Sequence, residues 1–148
     1  MKRHTLSIAL VSAVFCLLLS VAPAMRADDD NRGCTYRTVS GDWGYTSAGT
    51  RIGVGAIAAV GSFTLDKGGN VLDGKQTVSF NGVIADETFS GKYSLNDDCT
   101  ASAVVVVASP IAPRTSHLDL VFISDSNGVR MLFTDAGTIL TVDGKKEH

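Results

Sequence analysis

Histidine, carboxylate and cysteine side chains are the groups in this 148-residue sequence that could do chemistry, and their spacing decides which chemistry is open to them. His117 and Asp119 stand two apart, so in a strand they share a face, as a general-base pair would need. That face lies opposite Leu118, Leu120 and Phe122, which makes it an outer one, and no serine or cysteine nucleophile is tied to it by a motif. Gly53, Gly55 and Ala58 have the spacing of a dinucleotide fingerprint. Such a loop must open a helix whose N-terminus holds the pyrophosphate, whereas the residues up to Leu65 read as strand. Residues 66–70 and 125–128 have the flavour of calcium loops without the regular ligand spacing or the distant glutamate, and turn chemistry explains both. Asp28, Asp29 and Asp30 are adjacent carboxylates on a solvated lead-in, a poor cage for a cation. No catalytic, cofactor-binding or metal-ligating residue is assigned.

The remaining reactive groups are cysteines, and their reading depends on the start of the chain. Lys2, Arg3 and His4 precede an almost uncharged apolar run from Leu6 to Val21, followed by Ala22-Pro23-Ala24. This is the pattern of a secretory signal peptide over residues 1–24, with a possible cut after 27, and the run is short for a bilayer span. Cys16 leaves with it. Cys34 and Cys99 stay, and an even count in an exported chain predicts a disulfide. The expected location is secreted or periplasmic, with no stable membrane insertion after cleavage. Removing Lys2 and Arg3 leaves 11 basic against 15 acidic residues, a net charge of −4. That charge gives no footprint for nucleic acid.

The elements that must position any site are strands. From Val39 onward, apolar-polar alternation is broken by turn residues, which predicts eight strands over 39–48, 56–65, 71–80, 83–95, 100–108, 117–124, 129–134 and 137–142. Asn81-Gly82 is the strongest hairpin signal. Connections this short require antiparallel neighbours, so the expected fold is all-β: a closed or nearly closed eight-stranded up-and-down meander barrel over 39–148, after a flexible lead-in over 25–38. A two-sheet sandwich is the alternative. Ile57, Phe63, Leu72, Val78, Phe89, Leu120 and Met131 fall on the inner face, and Ser62, Asp73, Lys75 and Lys92 on the outer. Residues 104–107 are valine throughout, so their strand is either covered outside or a partner interface. Gly61-Ser62-Phe63-Thr64-Leu65-Asp66 recurs thirty residues later as Gly91-Lys92-Tyr93-Ser94-Leu95-Asn96, a hairpin-sized repeat.

Trp43, Tyr45, Gln76 and Tyr93 would each send a polar atom into this apolar interior, where it needs a partner. They are the candidate ligand-binding residues if the interior is hollow. If it is filled, each bonds to backbone or water near a rim.

Cys34, the stretch Gly41-Asp42-Trp43-Gly44-Tyr45, the hairpin from Gly61 to Asn70 and the segment from Gly91 to Thr100 resemble a family of uncharacterised exported small bacterial β-barrel proteins. Its barrel is similar to that of allene oxide cyclases and dirigent proteins. The resemblance implies a fold and transfers no catalytic position. The expected function is a non-enzymatic barrel that binds a small apolar ligand, a protein partner or a second copy of itself. The alternatives are a cofactor-free isomerase or cyclase and a purely structural envelope protein.

Overall fold

The computed structural model describes residues 33–123 and 125–148. The signal-peptide reading of 1–24, the alternative cut after 27 and the aspartates at 28–30 lie outside the described residues. A short helix, α1 (Tyr36–Val39), precedes eight strands: β1 (Gly41–Arg51), β2 (Gly55–Leu65), β3 (Asn70–Phe80), β4 (Val83–Leu95), β5 (Thr100–Ala108), β6 (Arg114–Ile123), β7 (Gly128–Phe133) and β8 (Thr138–Lys146). Each strand pairs antiparallel with the next, and β8 pairs back onto β1, closing the barrel. Closure leaves no edge to defend against another chain. The sandwich alternative is therefore set aside.

Turn chemistry fixes this topology. Asn81 and Gly82 both adopt positive φ, 49° and 94°, and join Phe80 directly to Val83. That is the backbone twist a two-residue hairpin needs. The thirty-residue repeat is also real in three dimensions. In one turn Asp66 N donates to Asn70 O and Gly69 N to Asp66 O; in the other Asn96 N donates to Thr100 O and Cys99 N to Asn96 O. Gly69 and Cys99 occupy the same left-handed position, with φ of 80° and 68°.

Inward and outward faces follow alternation, with one correction. Leu72 faces outward and is 40% exposed, while Val71 is buried. The β3–β4 register slips between Val71 and Gly74, with Asp73 at φ 51°, so one extra residue flips the start of β3. Gly74, which leaves room for the Phe89 ring, takes the inward position. The valines at 104–107 split: Val105 and Val107 are buried, whereas Val104 and Val106 stand exposed.

The second correction concerns residues 34–38, expected as part of a flexible lead-in. Cys34 is buried and bonded to Cys99, and α1 is held by a capping box in which Thr35 and Thr38 exchange side-chain and backbone hydrogen bonds. Four residues cannot sustain a helix alone; packing against the barrel supplies the rest. Val39 is fully buried, Tyr36 stacks at 5.3 Å from Tyr93, and the Tyr36 hydroxyl accepts from Leu95 N at 3.1 Å. Lys146 Nζ donates to Thr38 O, tying the last strand to the same cap.

The two ends of the barrel thus differ. One end carries α1, the disulfide and the connections at 66–69, 96–99 and 125–127. The other carries the connections at 52–54, 81–82, 109–113 and 134–137. We call them the plugged end and the mouth.

Candidate functional site

Of the four inward polar residues, two meet and two do not. Trp43 is fully buried at the plugged end, where its Nε1 donates to Val39 O at 3.1 Å and its ring faces Phe63 and Phe122. Tyr93 donates its hydroxyl hydrogen to Asp66 O at 2.7 Å. Burial, then the Asp66 charge and Tyr36, push its pKa up to about 12. Both polar atoms are satisfied by backbone near the plugged end, yet Tyr93 also lines an apolar hollow together with Tyr45 and Gln76.

Tyr45 and Gln76 come together in the middle of the barrel. They lie on β1 and β3, and both register with Gly61 on the intervening β2. A Cβ at Gly61 would sit 2.9 Å from the Tyr45 hydroxyl and 2.3 Å from the Lys75 carbonyl oxygen. The missing side chain is what lets the phenol reach across a strand. Tyr45 donates to Gln76 Oε1 at 2.6 Å, and Gln76 Nε2 donates to Glu87 Oε2 at 2.5 Å. Arg114 then closes on Glu87 in a fork, Nη1 to Oε1 at 2.8 Å and Nη2 to Oε2 at 2.9 Å. Its Nη1 also donates to Ala112 O, and its guanidinium lies 5.5 Å from the centre of the Phe80 ring.

Glu87 and Arg114 were not among the expected site residues, yet they dominate the electrostatics. The Glu87 side chain is fully shielded from water and that of Arg114 is 17% exposed. Burial works against the carboxylate, but hydrogen bonds from Arg114, Ser109 and Gln76 and the Arg114 charge outweigh it and hold its pKa below the ordinary value. Burial and the Glu87 charge push the Tyr45 hydroxyl well above its usual range, with Arg114 pulling slightly the other way. Glu87 is therefore ionised and Tyr45 protonated across ordinary pH.

Beside this network an apolar cavity of about 70 Å³ remains, with walls that include Phe63, Val78, Phe89, Ala103, Leu120 and Met131, and with Tyr45, Gln76 and Arg114 as polar edges. At about 30 Å³ per water it has room for roughly two. A second hollow of about 80 Å³ adjoins it, sharing Ile57, Arg114, Phe133 and Leu140, and is bordered by Arg51, Thr115, Asp135 and Thr138 at the mouth. The interior is neither solid nor a wide lumen.

The other chemical candidates resolve into structure. His117 pairs across the mouth connection with Asp135, Nδ1 to Oδ1 at 2.8 Å, and Asp119 registers with Ser102 instead. Gly53 and Gly55, both at positive φ, form the tight β1–β2 connection and open a strand. Asp66 Oδ1 accepts from Gly68 N and Asn70 N and its Oδ2 from Asn70 Nδ2, so its carboxylate is engaged by its own turn. The Asn70 hydrogen bonds lower its pKa first and most. Among the described residues no three histidine, cysteine, aspartate or glutamate side chains cluster as a metal would need.

The fold and this interior define the class: a closed eight-stranded up-and-down barrel whose described residues enclose adjoining hollows and a buried ion pair. No family model, no curated protein and no solved structure matches the chain; the eight-stranded barrel stands, and the expected relationship to allene oxide cyclases and dirigent proteins finds no support.

Proposed function

We propose that the protein is an exported binding barrel, taking a small apolar molecule with one hydrogen-bonding group through the mouth and into the hollow beside Tyr45. One observation carries this reading: an apolar cavity bordered by a fully bonded polar chain. A few fixed polar groups in an apolar recess are what orient a ligand. The Tyr45 hydrogen is spent on Gln76, so its oxygen faces a ligand as an acceptor. A compact alcohol or phenol is the matching chemistry, and it would take both the hollow of about 70 Å³ and the adjoining one of about 80 Å³, since a cavity of about 150 Å³ is what holds benzene. The disulfide supports export, since such bonds persist in oxidising compartments.

The ionisation states of Glu87 and Tyr45 favour binding over acid-base catalysis. An isomerase using the same hollow would have to act by shape and hydrogen bonding, and would lose turnover in Gln76→Leu while still binding its substrate.

The test is a thermal-shift and NMR titration of the exported protein with phenol, cyclohexanol and benzene. Saturable binding is expected, with phenol preferred to benzene and the preference lost in Tyr45→Phe. Ala103→Leu, which fills the hollow from β5, should abolish it. Binding by none of the three, or equal binding to Ala103→Leu, would remove the hollow as the site.

A further inference from the structure

Exposed aliphatic side chains are distributed unequally between the two ends. Every connection at the mouth has one within two residues. Ile52 and Val54 sit in the first, 85% and 37% exposed, and Val83 and Ile84 follow the second at 59% and 64%. Ile111 sits in the third at 53%, and Ile139 follows the fourth at 72%. By the same measure the plugged end, with connections at 66–69, 96–99 and 125–127, shows among the described residues Ile123 alone, at 37%, and these connections carry Asp66, Asp97, Asp98 and Asp125 against Lys67. Charges at the mouth are largely cancelled: Arg114 by Glu87, and Asp135 by the nearby Arg51.

We propose that the mouth rim docks on the surface of a phospholipid bilayer, with the barrel standing on its open end. Isolated apolar tips on a polar body are normal, but six gathered around one opening are not. What covers them must fill the gaps between separate tips. A second copy placed mouth to mouth would set tip against tip around an open centre, a poor route to the roughly 800 Å² per partner of a stable dimer. A fluid acyl layer moulds itself around each tip. The acidic turns point away from the bilayer in this pose, and the almost neutral rim makes apolar insertion, not headgroup charge, the driving term. The hollow bordered by Arg51, Asp135 and Thr138 lies on the same side, so on the binding reading an apolar ligand would pass between lipid and barrel without crossing water; docking itself rests only on the rim.

The test is flotation of the exported protein, its N-terminus fixed by mass spectrometry, with ligand-free phosphatidylcholine vesicles. Co-flotation is expected, and it should persist at about 1 M salt, where charges are screened beyond roughly 3 Å. Ile52→Asp/Ile84→Asp should lower the vesicle partition at least about tenfold, given what a carboxylate costs in an apolar phase. Ile111→Asp should do so less, and Leu72→Asp, on the side wall towards the plugged end, should leave it unchanged. All four positions are exposed, and unchanged far-ultraviolet dichroism would establish that the variants fold. Wild type remaining unbound, floating equally with the double variant, or dissociating in salt would each overturn the proposal. So would a sedimentation result in which the wild type is a dimer that Ile52→Asp/Ile84→Asp dissociates, since the rim would then serve a second copy.

Discussion

The two ends of the barrel are made from the same eight strands and bury comparable side chains, yet they are held by different physics. The plugged end is covalent and aromatic: Cys34–Cys99 ties α1 to the turn before β5, and Trp43, Phe63, Phe122, Tyr36 and Tyr93 fill the space beneath it. There Trp43 Nε1 and the Tyr93 hydroxyl donate to backbone carbonyls, which cannot move away, and the buried Ser126 hydroxyl meets Cys34 Sγ. The mouth is electrostatic. Glu87 and Arg114 span from β4 to β6 over the intervening β5, and Arg114 lines the hollow. Backbone-satisfied aromatics make a rigid floor; a buried ion pair makes a boundary whose parts depend on one another. The first suits a structural base and the second a site.

The largest expected effect is on the floor. Removing the bridge in Cys34→Ser/Cys99→Ser reopens a loop of 65 residues in the unfolded chain, worth about 4 kcal/mol in the entropic account. Urea denaturation should register that loss. Hydrogen exchange should show where it falls: the Leu95 amide, bonded to the Tyr36 hydroxyl, should lose protection before the amides of β4 around Glu87. Uniform loss of protection would mean that the two ends are one cooperative unit.

The mouth comes next. Arg114→Met leaves an ionised carboxylate buried without its cation and should cost about 3 kcal/mol. Adding Glu87→Gln should recover most of it, since the apolar replacement no longer faces a charge. The pair also sets an acid limit. Because the folded state holds the Glu87 pKa below its unfolded value, its contribution is present above the ordinary carboxylate range and fades as pH falls through the depressed value. Stability against pH should lose part of its acid slope in Glu87→Gln. A double variant no more stable than Arg114→Met would show that the guanidinium matters through Phe80 and Ala112 instead.

The contrast between the ends also explains what could be read from the sequence. Period-two alternation and Asn81-Gly82 are local signals, and they were enough for eight strands, their order and closure. The inward placement of Tyr45 and Gln76 was legible in the same way. Glu87 shares the parity of Phe89 and Tyr93 on β4, so the signal that finds it is a carboxylate at an inward position. Arg114 was hidden by a boundary: reading β6 from His117 leaves it in the Pro110 and Pro113 loop, whereas β6 begins with it. Leu72 was misplaced because a bulge obeys the pairing of two strands and not the alternation within one. The join of Tyr45 to Gln76 across Gly61 depends on a register between three strands, which no single segment encodes. The helical turn α1 was missed because its four residues are stabilised by a disulfide and by tertiary packing.

The smallest expected effect sharpens the comparison most, because it comes from a hydrogen-bonded pair of the same length at the same end. His117 Nδ1 and Asp135 Oδ1 are 2.8 Å apart, as are Arg114 Nη1 and Glu87 Oε1. The histidine pair is 55% and 25% exposed, so water screens it and already solvates each partner when the other is removed. His117→Ala should therefore change stability by less than about 0.5 kcal/mol. Asp135→Ala should cost somewhat more, because its Oδ2 also accepts from the backbone nitrogen of His117 at 3.0 Å. Burial costs Asp135 some of its acidity, but these same hydrogen bonds outweigh it and lower its pKa. Paired urea titrations of His117→Ala and Arg114→Met read the contrast directly. Similar losses would mean that burial is not what separates a surface contact from the ion pair bordering the hollow.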